Sequence, residues 1–127
     1  MPAPVTDGAV VLVADDDDVV RARAARALEQ GGYRVLKTSD GLETLKVMKR
    51  MEPALVVLDI GMPGLDGKAV MRIVRHMGDG APTVVFLTAM DGDDARAEGL
   101  ALGAADYITK PFQPADLVAR VGAALSA

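Results

Sequence analysis

Acidic side chains stand where short apolar runs end. Asp15 and Asp16 follow the run Val10 to Ala14, and Asp59 follows Leu55 to Leu58. Thr88 closes the run that begins at Thr83, and Lys110 stands just past Ala105 to Ile108. If the first and third runs are central neighbours in one sheet, three carboxylates converge on a single crevice. That convergence is costly. At an effective dielectric of about 20, two carboxylates ~4 Å apart repel by ~4 kcal/mol before solvent and salt relieve it. A divalent cation offsets the repulsion. The chain has no cysteine and one histidine, His76, which stands apart from these positions, so the donor set is all oxygen. Such a set favours Mg²⁺, Ca²⁺ or Mn²⁺ over zinc. Lys110 and Thr88 then suit a further anion, one as a point charge and the other as a hydroxyl donor. Phosphoryl transfer needs little beyond positioning and charge neutralisation of this kind.

The elements that position these groups alternate along the chain. Val10 to Ala14 is continuous and β-branched, as a strand covered on both faces should be. Asp18 caps a helix running through Gln30, with Val20, Ala24, Ala27 and Leu28 on one face and Gly31-Gly32 stopping it. Tyr33 to Thr38 reads as an edge strand carrying Arg34 and Lys37. Asp40 caps a second helix whose inner face is Leu42, Leu45 and Met48. Leu55 to Leu58 is a third strand, and Asp66 caps a helix to about Met77 through Val70, Ile73, Val74 and Met77. After the strand Thr83 to Leu87 comes a helix, about Asp93 to Leu102, with a thin apolar face and an interior Gly99. That glycine costs ~1 kcal/mol relative to alanine. A short strand, Ala105 to Ile108, precedes a last helix with Pro114 in its first turn and Leu117, Val118, Val121 and Leu125 inward. Five strands alternating with five helices imply an α/β domain with a parallel sheet and right-handed crossovers. In such sheets ligands sit beyond the carboxyl ends of the strands, where the polar residues collected above stand.

Composition narrows the function classes. The 127 residues fit one domain, read as a short extension over residues 1–9 and the domain proper over residues 10–127. Half the chain is apolar but only 3% is aromatic, so the core is aliphatic. A net charge of -4 with no cluster of Lys and Arg argues against direct nucleic-acid binding. No segment reads as a signal peptide, and no apolar run approaches the ~20 residues of a membrane span. The expectation is a soluble, cytoplasmic protein with no membrane partner.

Four stretches, VLVADDD (Val11 to Asp17), LVVLDIGMPGLDG (Leu55 to Gly67), FLTA (Phe86 to Ala89) and DYITKPF (Asp106 to Phe112), occur in order at strand ends. With them the chain resembles the receiver domains of two-component response regulators from about Val10 to Leu125. The resemblance implies a flavodoxin-like, CheY-like fold: a five-stranded parallel sheet in the order 2-1-3-4-5 with helices on both faces. It implies that Asp59 takes a phosphoryl group from a phosphohistidine, on a sensor histidine kinase or a histidine phosphotransfer protein. Mg²⁺ is the implied ion, held by Asp16, Asp59 and the backbone carbonyl of Gly61, with Asp15 acting largely through water. Thr88 resembles the hydroxyl that moves onto the phosphoryl group and Tyr107 the aromatic that swings inward behind it. Lys110 resembles the lysine that pairs with that group, and its bond to Pro111 is expected to be cis. A finer resemblance is to receivers attached to winged-helix DNA-binding domains, which form homodimers when phosphorylated. Arg96 and Asp116, and Asp106 and Arg120, fall where that subgroup carries charged partners on its dimer face. Gln113, Gly122 and Gly99 depart from the pattern, Gly122 by interrupting the last helix.

Two other readings compete. Asp15-x-Asp17 superficially matches the paired aspartates of haloacid-dehalogenase-type phosphatases, which would make Asp15 the phosphorylated residue. The chain is short for that fold and lacks a Thr two residues after Asp17. A degenerate receiver acting only as a binding module would not need the intact set Asp15, Asp16, Asp59, Thr88 and Lys110. Asp17 reads as a solvated neighbour, His76 as an incidental surface residue, and Arg21, Arg23 and Arg26 as either a kinase-docking edge or a solvated basic face.

Overall fold

The computed structural model describes residues 8–127. Ten elements follow one another: β1 (Val10–Ala14), α1 (Asp18–Gln30), β2 (Arg34–Thr38), α2 (Gly41–Met51), β3 (Leu55–Leu58), α3 (Gly67–Val74), β4 (Thr83–Thr88), α4 (Asp93–Ala101), β5 (Asp106–Thr109) and α5 (Pro114–Ser126). All strand pairings are parallel, in the order β2-β1-β3-β4-β5. The expected extension lies largely outside the described residues. Ala9 already belongs to the domain, because its carbonyl accepts from the Arg34 amide at 2.9 Å and it packs on the core.

The uniformly apolar strands are explained by cover on both faces. Side chains alternate across a strand, so Leu12, Ala14, Val56, Leu58, Val84 and Phe86 pack with Met48, Val70, Met71 and Val74 of α2 and α3. Val11, Val13, Leu55, Val57, Val85, Leu87 and Ile108 pack instead with Ala24 and Leu28 of α1 and with Leu117 and Val121 of α5. Asp15, Asp59 and Lys110 each stand two residues beyond a member of this second set: Val13, Val57 and Ile108. The pleat therefore sends all three toward one side.

Several local expectations need correction. Asp17, not Asp18, caps α1: its carboxylate accepts from the amides of Val19 and Val20 at 2.9 and 3.1 Å, which makes Asp18 the first helical residue. Asp40 and Asp66 cap α2 and α3 as expected, accepting from Glu43 and Ala69 amides at 2.8 and 2.9 Å. In α2 the inner face is Gly41, Thr44 and Met48, while Leu42 is exposed. Thr44 is tolerated there because its hydroxyl bonds Thr38 Oγ1 at 2.7 Å and the Asp40 carbonyl at 2.7 Å. Helix α3 stops at Val74, short of Met77, and Ile73 and Met77 are exposed; Met71 takes the inner place. Tyr33 lies just before β2, and β5 sits one residue later than read. Gly122 does not interrupt α5. A Cβ there would meet the Tyr33 hydroxyl at 3.4 Å, an ordinary contact.

Two glycines set how closely helices approach the site. A Cβ on Gly67 would overlap the backbone carbonyl oxygen of Asp59, and one on Gly41 would overlap that of Leu65. The start of α3 therefore rests directly on the loop after β3. Overpacking costs typically ~1–3 kcal/mol when neighbours can shift, and here the neighbour is backbone. Gly67→Ala is expected to lose about 3 kcal/mol in urea unfolding. A loss below about 1 kcal/mol would mean that the loop yields freely.

Candidate functional site

Backbone pairing carries the acidic groups into place. Ala14 pairs with Leu58 across β1 and β3, and the Asp59 amide donates to the Ala14 carbonyl at 2.9 Å. Asp15 and Asp59 thus leave two adjacent strands at the same level. Asp15 is 1% exposed and Asp59 5%, whereas Asp16 is exposed. One carboxylate oxygen from each of the three lies within 4.8 Å of the others.

Lys110 enters from the far side, one residue past β5, where its amide donates to the Thr88 carbonyl at 2.8 Å. Its ammonium lies 2.7 Å from Asp15 Oδ2 and 3.5 Å from Asp59 Oδ1. The Lys110-Pro111 bond is cis, as expected. Thr88 is buried at the end of β4, and its Oγ1 accepts from the Met90 amide at 3.3 Å. The Gly61 amide donates to Asp59 Oδ1 at 3.2 Å, so the loop after β3 folds back on the carboxylate.

These distances fix the electrostatics. Burial pushes the Asp59 carboxyl above the ordinary aspartate range, and the Asp15 charge raises it further; Lys110 and the Gly61 amide oppose the rise. Burial alone would lower the Lys110 ammonium, but Asp15 and Asp59 outweigh it and hold the group above the usual lysine value. Three carboxylates and one ammonium leave two formal negative charges, which one divalent cation balances. Asp15 Oδ2 is buried, and the Lys110 ammonium at 2.7 Å is the charge it meets. An all-oxygen cluster that keeps a net negative charge beside one ammonium fits a hard cation.

Other sequence-selected residues fall into distinct places. Tyr107 is buried with its ring inward; its hydroxyl donates to the Met90 carbonyl at 2.6 Å, and its ring meets Phe86 edge-on at 6.1 Å. Arg96, Asp106, Asp116 and Arg120 form one network within the chain. Asp106 takes Arg120 at 3.2 Å and Arg96 at 3.7 Å, and Arg120 also takes Asp116 at 3.2 Å. Asp17 is spent on the α1 cap, away from the acidic cluster.

Three supports escaped sequence reading. The Arg21 guanidinium donates to the Asp15 carbonyl at 2.9 Å and pairs with Asp18 at 2.6 Å, bracing the acidic loop. Arg96 Nη1 donates to the Tyr107 carbonyl at 2.9 Å, and Lys68 ties α3 to α4 through Glu98 at 2.7 Å. The last link spans thirty residues of sequence and carries no local signal.

The response regulator receiver domain family matches residues 11–122. The chain belongs to this family of signalling domains. It is 44% identical over 115 residues to the response regulator MprA of Mycobacterium leprae, covering 91% of this chain and 50% of that protein. The chain spans about half the length of the curated relatives it matches. Among solved structures, the receiver domain of the Francisella response regulator 1452 is 33% identical, with a TM-score of 0.87 over 94% of this chain and 98% of that one. The BeF3-activated N-terminal receiver domain of Klebsiella pneumoniae RstA is also 33% identical, at a TM-score of 0.85 over 93% and 99%. The receiver's acidic cluster of Asp15, Asp16 and Asp59 is typical of a phosphoacceptor site, and it could hold a metal ion. No described helix is long and apolar enough to cross a membrane.

A raised carboxylate pKa means that ionising Asp59 costs stability in the folded state. The cost is absent below the unfolded aspartate value and complete above the folded one. In chelator at neutral pH, Asp59→Asn is therefore expected to stabilise the receiver by about 1–2 kcal/mol, part of the bare repulsion because Lys110 already offsets some. The gain should shrink as pH falls through the carboxylate range. Thermal unfolding across pH measures it, and a destabilised variant at neutral pH would contradict the reading.

Proposed function

We propose that this receiver accepts a phosphoryl group on Asp59 from a phosphohistidine of a sensor histidine kinase or histidine phosphotransfer protein, with Mg²⁺ as its ion. The observation that carries the reading is the placement of Asp59. It is the buried carboxylate of the three that both faces Lys110 and is wrapped by the loop after β3. Asp15, Asp16, Asp59 and the Gly61 carbonyl would hold the ion, which when bound neutralises carboxylate and phosphoryl charge.

The chain's own residues then have defined work. An Asp59 carboxylate oxygen attacks phosphorus while the phosphorus–nitrogen bond to histidine breaks, leaving the imidazole and an aspartyl phosphate. Lys110 exchanges its Asp59 contact for a phosphoryl oxygen and keeps Asp15. Thr88 turns its hydroxyl from the Met90 amide toward a second phosphoryl oxygen. Because Met90 also anchors the Tyr107 hydroxyl, that turn is coupled to the inward seat of Tyr107. The switch is Thr88 and Tyr107, and the readout surface is α4-β5-α5. There the network of Arg96, Asp106, Asp116 and Arg120 would exchange intrachain for interchain partners in a phosphorylated homodimer. Exposed pairs contribute at most ~1 kcal/mol each, so the exchange is cheap and reversible. The resemblance to receivers of the winged-helix subgroup supports a transcriptional output.

Incubation with a small phosphodonor and Mg²⁺ is expected to add one phosphoryl group by intact mass, and Asp59→Ala should add none. Label on Asp15 would favour the phosphatase-type reading instead. Mg²⁺ at ten times its dissociation constant should stabilise the parent by about 1.4 kcal/mol, and Asp16→Asn should lose most of that gain. An undiminished gain in the variant would place the ion elsewhere.

A further inference from the structure

Helix α4 has a buried glycine at a position where backbone conformation does not ask for one. The positive-φ glycines flanking it are Gly92 and Gly103, at 104° and 107°; Gly99 is not among the positive-φ residues. Glycine inside a helix weakens it relative to alanine, so its presence needs a packing reason. The reason is space. A Cβ at Gly99 would lie 2.6 Å from Tyr107 Cδ2, 2.9 Å from Cε2 and 3.3 Å from Phe86 Cδ2. The missing side chain is the slot into which the Tyr107 ring fits.

We propose that Gly99 is the positioning residue that keeps the inward seat of Tyr107 open, so that residue 99 sets the balance of the switch. The inference rests on the reading of Tyr107 as a switch residue. Helix α4 is tied just before the slot, by Arg96 Nη1 on the Tyr107 carbonyl and by Glu98 on Lys68. An added methyl group is therefore relieved by the ring leaving, rather than by the helix riding outward. Once the ring leaves, its hydroxyl gives up the Met90 carbonyl, which frees the loop after β4 on which Thr88 also depends. Any side chain at position 99 thus biases the receiver toward the outward state, against the inward swing expected on phosphorylation.

The test uses both of the chain's tyrosines, Tyr33 and Tyr107, isotope-labelled on their rings and assigned with Tyr33→Phe. In the parent, the Tyr107 ring is expected to show NMR contacts to Phe86 and protection from water. In Gly99→Ala those contacts should disappear while the Tyr33 signals stay. Thermal midpoints supply the second readout. Gly99→Ala should lower the midpoint of the parent but raise that of Tyr107→Ala, where the slot is empty and alanine is simply the better helix former. That second background also guards against a single variant that fails to fold. Unchanged Tyr107–Phe86 contacts in Gly99→Ala, or a midpoint shift of the same sign in both backgrounds, overturns the proposal. Intact mass after phosphodonor treatment tests the switch reading separately: a parent that takes no phosphoryl group, with the sign reversal intact, removes the function and leaves the seat.

Discussion

Parallel, in-register pairing of β1 with β3 is the constraint on which the rest depends. Ala14 opposite Leu58 obliges the next residues of both strands, Asp15 and Asp59, to emerge together. Parallel strands need crossover helices, and these bury both faces of the sheet. Neither carboxylate can turn away into solvent without breaking the alternation that the core enforces. The fold thus imposes a like-charge contact that the sequence could have avoided only by giving up the residues themselves.

Everything around that contact manages its cost. Lys110 is delivered from β5, two places from β3 and three from β1, and its ammonium satisfies one buried charge while sharing a second. Arg21 braces the acidic loop through a backbone carbonyl and so steadies it without neutralising the cluster. Glycine at position 67 lets α3 press its first turn onto the Asp59 backbone, and the Gly61 amide caps the carboxylate. The remaining imbalance is what gives the site its appetite for a cation and, beside it, for an anion. On the opposite flank, Tyr107 and Thr88 both terminate on Met90, so the chemical end of the crevice and the α4-β5-α5 surface share one short loop.

Strand identities and the acidic residues at their ends were legible because each depends on patterns that survive in one dimension: continuous apolar runs and the polar residue that ends each; the strand order came only with the family resemblance. Helix faces were less so. Leu42, Ile73 and Met77 fit an apolar stripe yet lie exposed, while Thr44 and Met71 are inside. Periodicity reports a stripe's width but not its centre, and a hydroxyl with two partners can occupy a core position. The α1 cap slipped by one residue because four consecutive aspartates offer equivalent capping oxygens. Gly99 looked like a defect, and its meaning appears only with the tyrosine it faces. Long-range ties such as Lys68 to Glu98 leave no trace in sequence spacing.

Paramagnetic Mn²⁺, substituted for the diamagnetic ion at substoichiometric levels, probes the central claim most directly through the backbone amide spectrum. Selective broadening centred on Asp15, Asp16, Asp59, Gly61 and Lys110 is the outcome the crowded-carboxylate account requires. Broadening centred on the exposed acidic turn of Asp91, Asp93 and Asp94, with the strand ends left sharp, would contradict it.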